Sequence, residues 1–294
     1  MKSILKTARY IANRIRLALS ALPIQCRYRK KISELKRRRV IRVAFLLSGD
    51  TGIQFERLLK LMCDDSLFAP SIVVVPAYGY GVIDPIGRMR AAEESLRKRF
   101  GDLVMCSYNG EGFVDIKKHF DICFTTSVYD WQMHANYRIK TMARSGVLVA
   151  ATSYYFDNGT IHNKIYTIIP ALSYLWRFYS TTDNMKKEIQ CHHKVLAAFG
   201  GVKVSGMPRL DGLVNVPVVE RKRKKVLICP HHSVIEQPGL HLSNFLRYSE
   251  LIQELPTRYP QIDWTFRPHP LLKGVLIKNN IWSESDWDSY RAFI

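Results

Sequence analysis

Long apolar runs are missing from this sequence, and none approaches the roughly 18 residues that a membrane-spanning helix requires. A cleaved secretory leader is not expected either, because Arg14 and Arg16 interrupt the only candidate apolar core near the start. Cysteine is sparse and unpatterned: Cys26, Cys63, Cys106, Cys123, Cys191 and Cys229 form no CxxC pair and no regular ladder. That excludes a disulfide framework or a cysteine zinc site and fits a reducing compartment, with Cys106, Cys123 and Cys229 expected as small buried hydrophobes in strands. Neither a GxGxxG fingerprint nor a Walker loop is present, no internal repeat is visible, and acids are scarce, 25 against 44 Lys and Arg. No metal and no cofactor is expected.

The positive charge is concentrated. Residues 1–42 hold fourteen of the Lys and Arg against Glu34 as their only acid, so most of the net +19 belongs to this segment. Within it Ile4, Ala8, Ile11, Ile15, Ala18 and Leu22 recur at steps of three and four, the spacing of one helix face. Lys2, Lys6, Arg9 and Arg16 fall largely off that stripe, and Pro23 is expected to end the helix. A second basic run follows through Arg27–Lys31 and Lys36–Arg39. An apolar stripe with cationic flanks suits a helix lying on an anionic bilayer, where each Lys or Arg contributes about 1 kcal/mol. The alternative is a helix that packs its stripe on the body. Nucleic acid is not expected, since only Tyr10 and Tyr28 interleave with the charges and no recognisable binding module follows.

From Val40 the pattern alternates between strands and helices. Strands are expected at Val40–Leu47, Ser71–Val75, Leu103–Cys106, Asp121–Thr125 and Val147–Ala151, with helices at Phe55–Cys63, Arg88–Phe100 and Trp131–Arg144. Short apolar runs between helices predict an α/β fold with a parallel sheet covered on both faces. The turn Ser48–Gly52 offers backbone amides to an anion, but a plain tight turn explains it as well. A polar connector at 215–225 divides the chain. The expected organisation is a basic amphipathic segment at 1–39, an acceptor lobe at 40–214, the linker, and a nucleotide-binding donor lobe at 226–294. That last part has strands at Val226–Cys229 and Asp263–Phe266, a helix at Asn244–Arg258, and a final helix capped by Ser285.

Four stretches carry candidate chemistry. Val204-Ser-Gly-Met-Pro-Arg-Leu-Asp-Gly-Leu213 combines a close-approach Gly206, a stiffening Pro208, and Arg209 and Asp211, which are able to pair or to face a ligand. Cys229-Pro-His-His-Ser233 and Phe266-Arg-Pro-His-Pro-Leu271 follow two strands of the last unit. Ligands of open parallel sheets bind beyond such strand ends, so these histidine loops are expected to share one crevice. The fourth stretch is Phe156-Asp-Asn-Gly-Thr-Ile-His-Asn-Lys164.

From about Gly146 onward the chain resembles the CDP-glycerol glycerophosphotransferases of bacterial wall and capsule polymer synthesis. Gly206-Met-Pro-Arg-Leu-Asp211 is similar to that family's G-x-P-R-x-D signature, and Pro230-His-His and His269-Pro270 follow in the family's order. The resemblance implies two Rossmann-like lobes (GT-B-like) facing a cleft, a CDP-linked polyol phosphate donor, and a lipid-linked polymer acceptor at the cytoplasmic face of the cell membrane. On that reading His269, with His231 or His232 and the adjoining Ser233, is expected near the donor phosphates, with Arg267 or Arg209 as the cationic partner. Gly206, Arg209 and Asp211 either touch the donor or fix the inter-lobe turn, and Asp157 or His162 is the expected substitute for the catalytic base.

Two departures qualify the implied activity. Asn158 stands where the family places a basic histidine, and an amide accepts no proton at neutral pH. Residues 226–294 are fewer than a domain normally needs, so the donor lobe is expected to be incomplete. The alternatives are a two-lobed glycosyltransferase that uses a nucleotide sugar, or an inactive membrane-associated remnant.

Overall fold

In the computed structural model, residues 2–49, 53–79, 82–153, 168–213, 216, 217, 219–235 and 242–293 are described. The chain divides into two units, the first comprising Met1–Tyr78 and Pro85–Val216, the second Gly79–Asp84 and Pro217–Ile294.

The first unit opens with one long helix, α1 (Lys2–Leu35). Pro23 does not end it. Proline removes one N–H from the helix ladder, but tertiary contacts on both sides of that position offset the loss. Ala21, Ile24, Tyr28 and Leu35 are buried in the core, and Gln25 Nε2 donates to Leu175 O at 2.6 Å. The Tyr28 hydroxyl donates to Tyr174 O at 2.8 Å, a bond for a buried phenol that would otherwise cost desolvation.

The sheet follows as β1 (Ile41–Leu47), α2 (Glu56–Cys63), β2 (Phe68–Val74), α3 (Pro85–Phe100), β3 (Val104–Cys106), β4 (Ile122–Thr125), α4 (Ile139–Arg144) and β5 (Leu148–Thr152). Then come β6 (Arg177–Ser180), α5 (Asp183–His192), α6 (Lys194–Ala198) and β7 (Val202–Val204). The seven strands are all parallel, in the order β3-β2-β1-β4-β5-β6-β7. Runs such as Leu148–Thr152, buried at every residue, are what a sheet covered on both faces demands. The sheet flanked by helices is the α/β architecture expected, and it is consistent with a Rossmann-like fold. Its strand order reverses between β1 and β4, where such sheets open a crevice at their carboxyl ends.

One local expectation fails for an identifiable reason, and two strands went unanticipated. Only Ile139–Arg144 of the helix expected at Trp131–Arg144 is α-helical, because Arg138 is extended and Asp130 Oδ1 accepts the Ile139 amide at 2.8 Å. That carboxylate restarts the chain as a new helix. The strands β6 and β7 carried no expectation, because Arg177, Ser180 and Lys203 break up their apolar residues and neither leaves a continuous apolar run.

One buried charge ties the basic N-terminal run to the sheet. Asp121, just before β4, has a side chain only 1% exposed. Its Oδ1 accepts from Lys31 Nζ and Arg38 Nη1, each at 2.9 Å, and its Oδ2 from the Arg42 amide at 3.1 Å. Burial pushes the carboxyl upward, but the Arg42, Lys31 and Arg38 interactions outweigh it and hold the group below the ordinary carboxylate range.

The second unit pairs β8 (Lys225–Ile228) and β9 (Asp263–Phe266) in parallel, with α7 (Phe245–Arg258), α8 (Leu272–Lys278) and α9 (Glu284–Phe293). Its core is Val234, Phe245, Leu272, Val275, Leu276, Trp287 and Tyr290. The final helix is capped two residues earlier than expected. Ser283, not Ser285, forms the reciprocal box, its Oγ accepting the Asp286 amide and Asp286 accepting the Ser283 amide. Cys229 corrects another expectation, because it is exposed whereas Cys123 is buried and Cys106 half-buried. A two-stranded sheet covers less of its own faces than a seven-stranded one, and Leu227 beside it is 58% exposed.

Candidate functional site

Main-chain pairing continues past the ends of β8 and β9. Arg267 donates its amide to Ile228 O at 2.8 Å, and His269 donates its amide to Pro230 O at 2.9 Å. The two histidine loops therefore run side by side, as expected from their positions after adjacent strands. His232 lies 4.2 Å, between ring centroids, from both His231 and His269, and the outer pair is 5.1 Å apart.

One nitrogen from each ring lies within 4.8 Å of the others, the spacing of a three-histidine metal centre. Protonation argues against that use. The Ser233 amide donates to His231 Nδ1 at 3.2 Å, and the Leu271 amide donates to His269 Nδ1 at 3.1 Å. Assigned from these fixed donors, each neutral ring carries its proton on Nε2. A metal-binding histidine has the reverse arrangement, with its second nitrogen donating to an acceptor and its ligating nitrogen bare. His231 and His269 instead present N–H groups, which suit an anion.

The third imidazole differs. Burial, reinforced by neighbouring His231, pushes the His232 pKa down from 6.5 to about 4, so the ring is neutral near pH 7. Its Nδ1 is buried and has no hydrogen-bond partner among the described residues. Ser233 is 1% exposed and committed locally. Its Oγ accepts the Leu242 amide at 2.9 Å and lies 2.9 Å from His231 Nδ1, leaving the hydroxyl proton for that ring. Ser233 is thus a positioning residue for His231. Arg267 lies two residues before His269, with its side chain exposed.

Gly206, Arg209 and Asp211 belong to the first unit, beyond the end of β7. Gly206 has φ +72°, and an added Cβ would meet nothing within 4 Å. It serves a left-handed backbone that a residue with a side chain rarely adopts. Arg209 and Asp211 are both exposed in the turn Pro208–Leu213. Asp157, Asn158 and His162, and Asp50 to Gly52 of the early turn, lie outside the described residues.

Asp211 also lines a cavity of about 290 Å³ with Phe55, Leu58, Phe124, Tyr179 and Ser205. Phe124 is in β4, Tyr179 in β6, and Ser205 follows β7, which places the cavity at the carboxyl side of the sheet. The walls are built by aromatic packing, with Phe124 stacked on Phe45 and tilted against Phe55, each at 5.1 Å. Phe55 and Tyr179 carried no sequence signal, since an aromatic residue in a short element reads simply as core. No protein-family model matches the chain, and no curated protein matches it either.

Proposed function

We propose that the chain is built for polyol phosphate transfer, moving a glycerophosphate-type group from a CDP-linked donor to a lipid-linked polymer acceptor. The observation that carries this reading is the convergence of His231, His232 and His269 beyond two adjacent strand ends, with two rings presenting Nε2–H groups. Such donors match the oxygens of a diphosphate. The motif resemblance supplies the donor class. The two-lobed, GT-B-like plan with a cleft, and work at the cytoplasmic face of the membrane, belong to the same proposal.

In the proposed reaction an acceptor hydroxyl oxygen attacks the glycerol-bearing phosphorus. A new P–O bond forms, the bridging P–O bond breaks, and CMP leaves with the electron pair while the hydroxyl proton passes to a base. His269 and His231 donate to phosphate oxygens as charge moves onto the leaving group, with Arg267 or Arg209 as the cationic partner. Asp157 and His162 are the proposed bases on the acceptor side.

Calorimetric titration tests the reading. CDP-glycerol and CDP should bind the full chain, and binding should weaken for His269→Ala while the variant's thermal melt stays intact. Preference for a UDP- or GDP-sugar would move the assignment to a glycosyltransferase. A folded parent that binds no nucleotide would mark an inactive remnant.

A further inference from the structure

The helix α1 has two apolar faces, and among the described residues one of them packs into the core while the other is exposed. Leu17, Ala21, Ile24, Tyr28, Ile32 and Leu35 pack into the core of the first unit. On the opposite side, at the 3.6-residue period, Ile11, Ile15, Leu19 and Leu22 form a second stripe, each between 46% and 67% exposed. The Tyr28 and Gln25 bonds to Tyr174 and Leu175 fix the rotation of the helix, so the second stripe cannot turn inward without breaking them.

Charge selects what covers this stripe. Arg9, Arg16 and Arg27 are exposed along its flank, and the first 33 residues contain no acid. A second copy docked helix to helix would bring two such cationic segments together. The complementary surface is apolar within and negative at its edge, the profile of an anionic bilayer interface.

A cavity of about 210 Å³ opens along the same helix, lined by Arg14, Ile15, Ala18, Ser173, His193 and Lys194. Ile15 belongs both to the stripe and to this lining. Ser173 and His193 form a buried floor, their Oγ and Nδ1 2.9 Å apart. Among the described residues, no carboxylate pairs with Arg14 or Lys194.

We infer that α1 docks on an anionic membrane through the Ile11–Ile15–Leu19–Leu22 stripe, with a lipid headgroup phosphate held by Arg14 and Lys194 in the adjoining cavity. The inference deepens the membrane location proposed above and names the surface responsible. It does not depend on the transfer chemistry.

The experiment is co-sedimentation of the full chain with phosphatidylcholine vesicles, with and without phosphatidylglycerol. The parent should bind the anionic vesicles, more weakly as salt rises. Ile11→Ser, Ile15→Ser and Leu19→Ser together should lower that affinity by about 100-fold while the thermal melt is kept, because these side chains contribute nothing to the core. Arg14→Gln with Lys194→Gln should erase much of the preference for anionic over neutral vesicles. If the parent binds and the stripe variant binds equally well, the docking face is wrong although the membrane location survives. If the charge variant keeps the full preference, the headgroup site is overturned. A parent that ignores vesicles but dimerises through the stripe would sink both the location and this inference.

Discussion

Leu271 donates its backbone N–H to Nδ1 of His269 at 3.1 Å, which puts the proton of the neutral ring on Nε2. Ser233 acts in the same way on His231, at 3.2 Å. In both loops the residue two positions after the histidine supplies the amide, so main-chain geometry determines the chemistry that each ring offers.

The first prediction separates anion from metal. His269→Ala should weaken binding of CDP or CDP-glycerol by about 1.5–3 kcal/mol, the scale of a lost hydrogen bond to a charged group. Adding Zn²⁺ should leave the thermal midpoint of the parent unchanged, because the Nε2 positions of His231 and His269 are protonated. A zinc-dependent rise in that midpoint, lost in His269→Ala, would show that the tautomer assignment is wrong.

A second prediction concerns pH. Burial holds His232 neutral down to about pH 4, against an ordinary value of 6.5. Between those values the unfolded chain takes up a proton that the folded chain does not, so stability falls as pH falls across this window. Above it the penalty vanishes. The loss should be smaller in His232→Gln, read from melts of the two proteins between pH 7 and pH 4.5. Equal slopes would remove His232 as the cause.

How much of this was legible beforehand depended on the range of the interaction. Val43–Leu47 and Leu148–Thr152 announced strands because continuous burial leaves an apolar run. The two histidine loops were readable from their Pro-His spacing after short strand-like segments, although β8 and β9 are themselves only partly buried. The role of Ser233 was not, since it rests on the amide of Leu242, nine residues further along. Nor was the passage of α1 through Pro23, because the contacts that sustain it come from Tyr174 and Leu175, about 150 positions away in sequence. Of the expected stripe of Ile4, Ala8, Ile11, Ile15, Ala18 and Leu22, the residues Ile11, Ile15 and Leu22 share an exposed side of α1, but which face packs is a tertiary fact.

The third prediction tests the buried carboxylate. Asp121→Asn should destabilise the first unit by about 2 kcal/mol, since it removes charge-assisted bonds from Lys31, Arg38 and the Arg42 amide. The folded pKa of Asp121 is lowered, so its contribution is present above the ordinary carboxylate range and is lost as pH falls through the folded value. Acid unfolding of the parent should therefore be steeper than that of the asparagine variant. Superimposable acid transitions would show that the cluster contributes little.

The fourth prediction concerns the connector. Residues 219–225 are exposed throughout and contain Arg221, Lys222, Arg223, Lys224 and Lys225. Brief trypsin treatment should cut here first and release a fragment that ends near the boundary of the first unit. Earlier cuts between β1 and β5 would contradict the division into two units.

The last prediction separates the two roles of α1 by length. Removing residues 1–12 takes away Leu5 and Ile11 from the exposed side but leaves Leu17, Ala21, Ile24 and Tyr28 against the core. That shortened chain should fold with nearly the parent's thermal midpoint, because exposed side chains make little difference to stability. Removing residues 1–39 is a different change. It strips Ile24, Tyr28 and Leu35 from the core, leaves the Tyr174 and Leu175 carbonyls without their donors, and leaves Asp121 without Lys31 and Arg38. Each lost buried side chain alone costs about 2–5 kcal/mol, so the sum exceeds what a marginally stable domain holds in reserve. The longer deletion should be insoluble or molten, with its near-ultraviolet dichroism lost. A cooperative melt from residues 40–294 would mean that α1 is an appendage and that the packing described for Tyr28 contributes little to the fold.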